Sequence, residues 1–305
     1  MKAKLLGALP IRAVRRFLAA QGPNWATIIA WNLFFAFFPM VFLAISAVGL
    51  ALRDPGTRAT VVQQVLAAFP SCHAQQSGGN CQIVTALDDF RRSSGVFAVV
   101  GAVGLIWSGS SLFGAIEQGL DALYGCKTRG FVRQKLMAIG MVVIFTVMAV
   151  PLVASGSLLG LLQSIPGVPD FFRTGPAGLI LQAVAGLVDA ALLFGIIYFV
   201  VPNRRQRVRD IIPGAISAGV IFEGLTLVFP LYFGLVTNSP QWGQTFGFIF
   251  VLLFYFFLLG QIVMLGGAVN AEVAAARAPG EVPAVQTGGL GGEREVTAPS
   301  APQTG

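Results

Sequence analysis

Six long apolar runs divide this chain, and the polar stretches between them carry Lys and Arg in clusters. A helix needs about 20 apolar residues to cross a hydrocarbon core about 30 Å thick. The runs at Ala26–Leu52, Ser94–Leu112, Leu136–Gly156, Pro176–Val201, Ile211–Val236 and Gln244–Val269 meet that requirement. The second is expected to continue as helix to Tyr124. Ahead of the first, Lys4, Arg12, Arg15 and Arg16 interleave with Leu5, Leu6, Leu9, Phe17 and Leu18. That pattern suits an amphipathic helix lying on a membrane surface, broken at Gly22-Pro23. Within residues 53–92, Val61, Val62, Val65, Leu66 and Phe69 recur at helical spacing, so this loop is expected to be partly helical. After Arg277 the chain is rich in Gly, Pro, Ala, Thr and Glu without an apolar period, the composition of a disordered segment. The expected fold is therefore all-α: an integral membrane bundle of six transmembrane helices with an amphipathic N-terminal helix. Its expected divisions are an N-terminal segment 1–24, a six-helix domain 25–271 with its outer loop 53–92, and a disordered tail 272–305.

Composition agrees with a lipid environment. Of 305 residues, 55% are hydrophobic and 11% charged, against roughly 25% charged in soluble domains. The apolar run after Asn24 is longer than the apolar region of a cleavable signal, about 7–15 residues, so it reads as a retained anchor. The formal charge of +7 is concentrated beside the spans. Lys2, Lys4, Arg12, Arg15 and Arg16, then Lys127, Arg129, Arg133 and Lys135, then Arg204, Arg205, Arg207 and Arg209 fall on one side. Arg53, Arg58, Arg91, Arg92 and Arg173 fall on the other. The positive-inside rule makes the first side cytoplasmic and places both termini there. No basic cluster carries the aromatics of a nucleic-acid surface, so nucleic acid is not an expected partner. Membrane lipid is, and the sequence leaves oligomerisation open.

Cys72 and Cys81 share the outer loop, where Gly78-Gly79 would let the chain close. A disulfide there would add at most about 3 kcal/mol, and two free thiols are the alternative. Cys126 lies on the inner side. His73 is the one histidine of the sequence, which excludes multi-histidine zinc sites. No metal or other cofactor and no catalytic residue is expected. Ser110 and Ser111 have no histidine within a span to activate them, although a lysine base stays open. Ser110 with Gly114, and Ser111 with Ala115, have the four-residue spacing that lets helices approach closely in lipid, as do Gly156 with Gly160 and Gly214 with Ala218.

The acids inside spans are the costly residues. Asp189 sits mid-span four, Glu223 mid-span five and Glu117 toward the inner end of span two. A central Asp costs about 2.5–3.5 kcal/mol on insertion scales, so such residues usually face a bundle interior or a polar path. One reading is an intramembrane polar site made of Asp189, Glu223 and Glu117. The other is structural: carboxyls hydrogen-bonded between helices or, for Glu117, paired with inner-face arginines. Pro39, Pro151 and Pro230 are expected to interrupt helices.

Several segments together resemble one family. They are Ala30-Trp-Asn-Leu-Phe-Phe-Ala-Phe-Phe-Pro39; Trp107-Ser-Gly-Ser-Ser-Leu-Phe-Gly-Ala-Ile-Glu117 with Leu120 to Tyr124; Tyr198-Phe-Val-Val-Pro-Asn-Arg204 with Arg209-Asp-Ile-Ile-Pro-Gly-Ala215 and Phe222-Glu223; and Trp242-Gly243, Leu265-Gly266 and Asn270-Ala271. Their order and spacing, over roughly residues 10 to 275, are similar to the YihY/BrkB family of bacterial inner-membrane proteins, once labelled ribonuclease BN. The family often carries a Glu two residues before the Asn of its last span. Here that position is Ala268, and Glu272 is the nearest acid. The resemblance implies six helices in a bacterial cytoplasmic membrane. The expected function is transport or lipid handling in the cell envelope, acting on a lipid or small molecule. A non-transporting envelope scaffold is the alternative, and a tRNA-processing ribonuclease, for which no His/Asp metal cluster is present, ranks last.

Overall fold

The structure, a computed structural model, describes residues 2–56, 82–164, 176–204, 206–237 and 242–277. They form seven helices: α1 (Lys2–Ala19), α2 (Gly22–Ala51), α3 (Gln82–Tyr124), α4 (Phe131–Ser164), α5 (Pro176–Val200), α6 (Val208–Thr237) and α7 (Trp242–Arg277). Five of these, α2, α3, α5, α6 and α7, contain stretches long and apolar enough to cross a membrane. Helix α4 has 34 residues, ample length for a crossing at 1.5 Å per residue, so six spans are compatible with the fold.

Side-chain distribution explains why these helices assemble in lipid. Val96, Val99, Val103 and Ile106 line the exposed face of α3, and Trp107 beside them is 79% exposed. Helices α5 and α6 do the same with Val184, Val188 and Leu192, and with Ile212, Ile216 and Val220. Apolar faces this large are solvated by acyl chains, and association then depends on close packing and polar contacts between helices. Glu117, Asp121 and Asn270 are accordingly among the most buried side chains.

Small residues set the crossings. A Cβ on Gly104 would come 2.9 Å from the Pro39 ring, and one on Gly260 would come 2.6 Å from the Ala26 carbonyl oxygen. These contacts seat α2 against α3 and α7. Ser46 Oγ donates to the Ser94 carbonyl at 2.8 Å, and Arg53 donates to Ser94 Oγ at 2.9 Å, joining α2 and α3 at the end away from most arginines. Helix α1 buries Ala13 and Phe17 and exposes Ile11, Val14 and Leu18. It thus has one apolar face for the protein and a second for the membrane interface.

Three features differ from expectation. Helices α2, α4 and α6 run uninterrupted through Pro39, Pro151 and Pro230; proline is tolerated inside membrane helices, where local backbone adjustment re-satisfies the freed carbonyl. Helix α7 extends to Arg277, past the boundary expected at 271, because Glu272 and Arg277 are held by other elements. Helix α3 begins at Gln82, inside the stretch assigned to the outer loop. The apolar period at Val61–Phe69 and the tail after Arg277 lie outside the described residues.

Candidate functional site

Most of the described arginines gather at one end of the bundle, where α1, α3, α5 and α7 have helix termini. Helix α3 stops at Gly125, which has φ 65. The Cys126 N–H closes on the Asp121 carbonyl at 2.9 Å, the six-to-one bond of a Schellman cap. Burial pushes the Cys126 thiol pKa up, with nearby Asp121 adding to the shift, so it is a poor nucleophile. Arg16 of α1 donates to the Leu123 carbonyl at 3.0 Å and to Glu272 Oε1 at 2.6 Å. Arg12 lies 3.1 Å from the other Glu272 oxygen.

Arg129 closes the C-terminus of α5 in the same way. It donates to the carbonyls of Val200 at 3.3 Å, Pro202 at 3.0 Å and Val201, and to Glu117 Oε1 at 2.9 Å. The last carbonyls of a helix have no internal donor, and a cation there also opposes the helix dipole. Asp121 Oδ1 accepts from the Asn203 N–H at 2.8 Å, and Asn203 Nδ2 donates to the Lys127 carbonyl at 2.8 Å. Pro213 of α6 supplies no N–H for the Arg209 carbonyl one turn earlier. Arg277 donates to that carbonyl at 2.8 Å and also bonds Asp210. Beneath this layer Asn270 Oδ1 accepts from the Gly214 N–H at 2.7 Å, and the Tyr198 hydroxyl donates to the Val263 carbonyl at 3.0 Å.

Beside the α1–α2 junction lies a cleft of about 600 Å³. Its walls are the start of α2 (Asn24, Trp25, Ile28, Asn32), the middle of α3 (Ser110, Ser111, Gly114, Gln118) and the start of α4 (Phe131, Gln134, Lys135). Ile28 and Phe131 at its edge are exposed on the outer surface of the bundle. Lys135 Nζ donates to Ser110 Oγ at 3.0 Å, and Ser110 donates its own proton to the Trp107 carbonyl at 2.9 Å. The Ser110 hydroxyl thus sits between the Trp107 carbonyl and Lys135 and holds the ammonium at the wall of the cleft.

The sequence-derived acids are spread across the bundle. Glu117 belongs to the arginine layer. Asp189 and Glu223 are half-buried on the neighbouring helices α5 and α6. The Glu223 carboxylate rests where a Cβ on Gly186 would stand, at 2.8 Å, one helical turn from Asp189. Arg204 is half-buried, whereas Arg207 and Arg209 are exposed. Arg205, Cys72 and Cys81 lie outside the described residues. Among the described residues no three His, Cys, Asp or Glu side chains converge as a metal site would require. Sequence reasoning missed Asp121 and the capping roles of Arg16, Arg129 and Arg277. Asp121 could have been found from its i, i+4 relation to Glu117 on one helix face.

No solved structure matches this chain. The chain is 30% identical over 176 residues to YfkH of Bacillus subtilis, which carries a ribonuclease-like name; the match covers 56% of this chain and 63% of that protein. It is 23% identical over 269 residues to a UPF0761 membrane protein of Pseudomonas aeruginosa, covering 86% of this chain and 62% of the relative. It is 42% identical over 81 residues, 26% of each chain, to a UPF0761 membrane protein of Alteromonas mediterranea. The chain therefore spans under two thirds of the length of these curated relatives. A family match covers residues 13–287 and so takes in the cleft and, apart from Arg12, the arginine layer. The chain is a membrane protein and belongs to the family described as virulence factor BrkB.

Proposed function

We propose that this chain handles membrane lipid, carrying a lipid headgroup past the bilayer interface through the cleft between α2, α3 and α4. One observation carries the reading: a space of about 600 Å³ with mixed walls, amide, hydroxyl and ammonium groups among apolar side chains, two of which, Ile28 and Phe131, are exposed on the outer surface of the bundle. Polar side chains facing such a space reward a headgroup, and an open apolar edge leaves the acyl chains in lipid. The space is too confined, and too sparsely polar beyond its walls, to serve as a wide aqueous channel. By the positive-inside rule the cleft lies toward the cytoplasmic side of a bacterial inner membrane. In this reading Asp189 and Glu223 serve as a secondary polar step on the α5–α6 side, supported by the Glu223 carboxylate lying against Gly186. A scaffold without transport is the competing reading, favoured by the arginine layer that fastens the helix ends together.

The test is translocation of a fluorescent phospholipid in vesicles containing the purified full chain. Gly114 faces the cleft with room to spare, since a Cβ there would meet only the Gln134 amide at 3.5 Å. Gly114→Leu is expected to obstruct the cleft at its α3 wall and lower translocation toward the protein-free baseline while the chain stays folded. Wild-type protein that moves no lipid, or a Gly114→Leu variant as fast as wild type, contradicts the reading.

A further inference from the structure

We infer that the cleft recognises an anionic lipid headgroup, with Lys135 as the cation that meets its phosphate. The inference rests on the lipid-handling reading and adds the chemical class of the ligand.

Charge is the first argument. Among the described residues lining the cleft, Lys135 is the one that carries a charge; the other polar walls are the amides of Gln21, Asn24, Asn32, Gln118 and Gln134 and the hydroxyls of Ser110 and Ser111. No carboxylate lines the space. Its acidic neighbours on α3, Glu117 and Asp121, are directed into the arginine layer and bonded there to Arg129 and the Asn203 N–H. The cation is also fixed in place. The buried Ser110 accepts one hydrogen bond from Lys135 Nζ at 3.0 Å, and an ammonium has three donors to give.

Helix direction is the second argument. Helix α2 begins at Gly22 and α4 at Phe131, so Asn24 and Trp25, and Gln134 and Lys135, come from opening turns. Neither opening turn contains an acid. Two helix N-termini thus bring partial positive charge to the space that Lys135 enters, and the first turn of a helix favours anions; the N–H groups of Asn24 and Trp25 close on the Gln21 carbonyl and that of Gln134 on the Gly130 carbonyl, so the termini act through their field.

The third argument is depth and shape. The cleft lies next to the arginine layer, at the level where a span meets the interface, and Trp25 lines it. Tryptophan is favoured at headgroup depth. A free anion would have no use for the exposed apolar edge at Ile28 and Phe131, whereas an amphiphile uses both parts.

The experiment titrates the detergent-solubilised full chain with dioleoylphosphatidylglycerol, dioleoylphosphatidylcholine and glycerol 3-phosphate, reading bound lipid by native mass spectrometry. Wild type is expected to prefer the anionic lipid by about fivefold, in keeping with the worth of one lysine near a charged membrane surface. Lys135→Gln should remove most of that preference, Lys135→Arg should keep it, and Gly114→Leu should weaken both lipids. If Lys135→Gln does not fold, Gln134→Glu places a carboxylate at a half-exposed position of the same wall and should abolish the preference equally. Equal binding of the two lipids by wild type, or an undiminished preference in Lys135→Gln, overturns the inference. So does displacement of phosphatidylglycerol by an equal concentration of glycerol 3-phosphate, which would mark a site for the free anion. Anionic preference without translocation upholds the headgroup assignment and removes the transport reading. Translocation without headgroup preference does the reverse.

Discussion

Replacing Arg129 with alanine is expected to destabilise the protein by on the order of 3–5 kcal/mol, the usual cost of leaving one member of a buried ion pair behind. The abandoned group is Glu117, whose side chain is 0% exposed. The loss is compounded because Arg129 also serves the carbonyls of Val200, Val201 and Pro202 at the end of α5. Glu117→Gln should cost less: an amide oxygen still accepts from Arg129, and Arg129 keeps its three carbonyls. Neutralising Glu117 in the Arg129→Ala background should recover part of the loss, since the orphaned charge disappears. Thermal unfolding in detergent would show the order, with Arg129→Ala lowest by on the order of 10 °C. An unchanged midpoint for Arg129→Ala would mean that the layer contributes nothing to folding.

The second large effect is expected at Gly214. A methyl group there would run into the Gly266 carbonyl oxygen and Asn270 Oδ1. The obstruction includes the Gly266 backbone as well as the Asn270 side chain, so a rotamer change alone does not relieve it and α6 and α7 must separate. Overpacking of this kind costs about 1–3 kcal/mol and sometimes more, and the bond from the Gly214 N–H to Asn270 adds about 1 kcal/mol when lost. Gly224 is the control on the same helix. A Cβ there meets nothing within 4 Å, so Gly224→Ala should be neutral or slightly stabilising by its better helix propensity. Comparable unfolding temperatures for Gly214→Ala and Gly224→Ala would contradict the close crossing of α6 and α7.

The helices were legible in the sequence because hydrophobic period and length determine a span directly. The continuation of α3 through Tyr124 was readable in the same way, whereas the break expected at Gly22-Pro23 falls at Ala20 and Gln21, with Gly22 and Pro23 opening α2. Continuity through Pro39, Pro151 and Pro230 was not, because the sequence records the missing N–H and not the neighbour that tolerates it. The arginine clusters show the corresponding gap. Their bunching near spans speaks of orientation, but that Arg129 caps α5 across 71 to 73 residues of sequence, or that Arg277 repairs the carbonyl released by Pro213, follows from helix packing alone. Glu117 was legible as an acid that could pair with an inner-face arginine, though its partner was not. The cleft was least legible. Gln21, Asn24 and Gln134 are unremarkable in sequence, and with Ser110 and Lys135 they become a site only when α2, α3 and α4 bring them around one space.

The most direct test is a density map of the chain in nanodiscs containing phosphatidylglycerol. The account predicts a lipid with its phosphate beside Lys135 and its acyl chains leaving past Ile28 and Phe131. A cleft closed by side chains or filled only with water, with ordered lipid confined to the other helix faces, would contradict it.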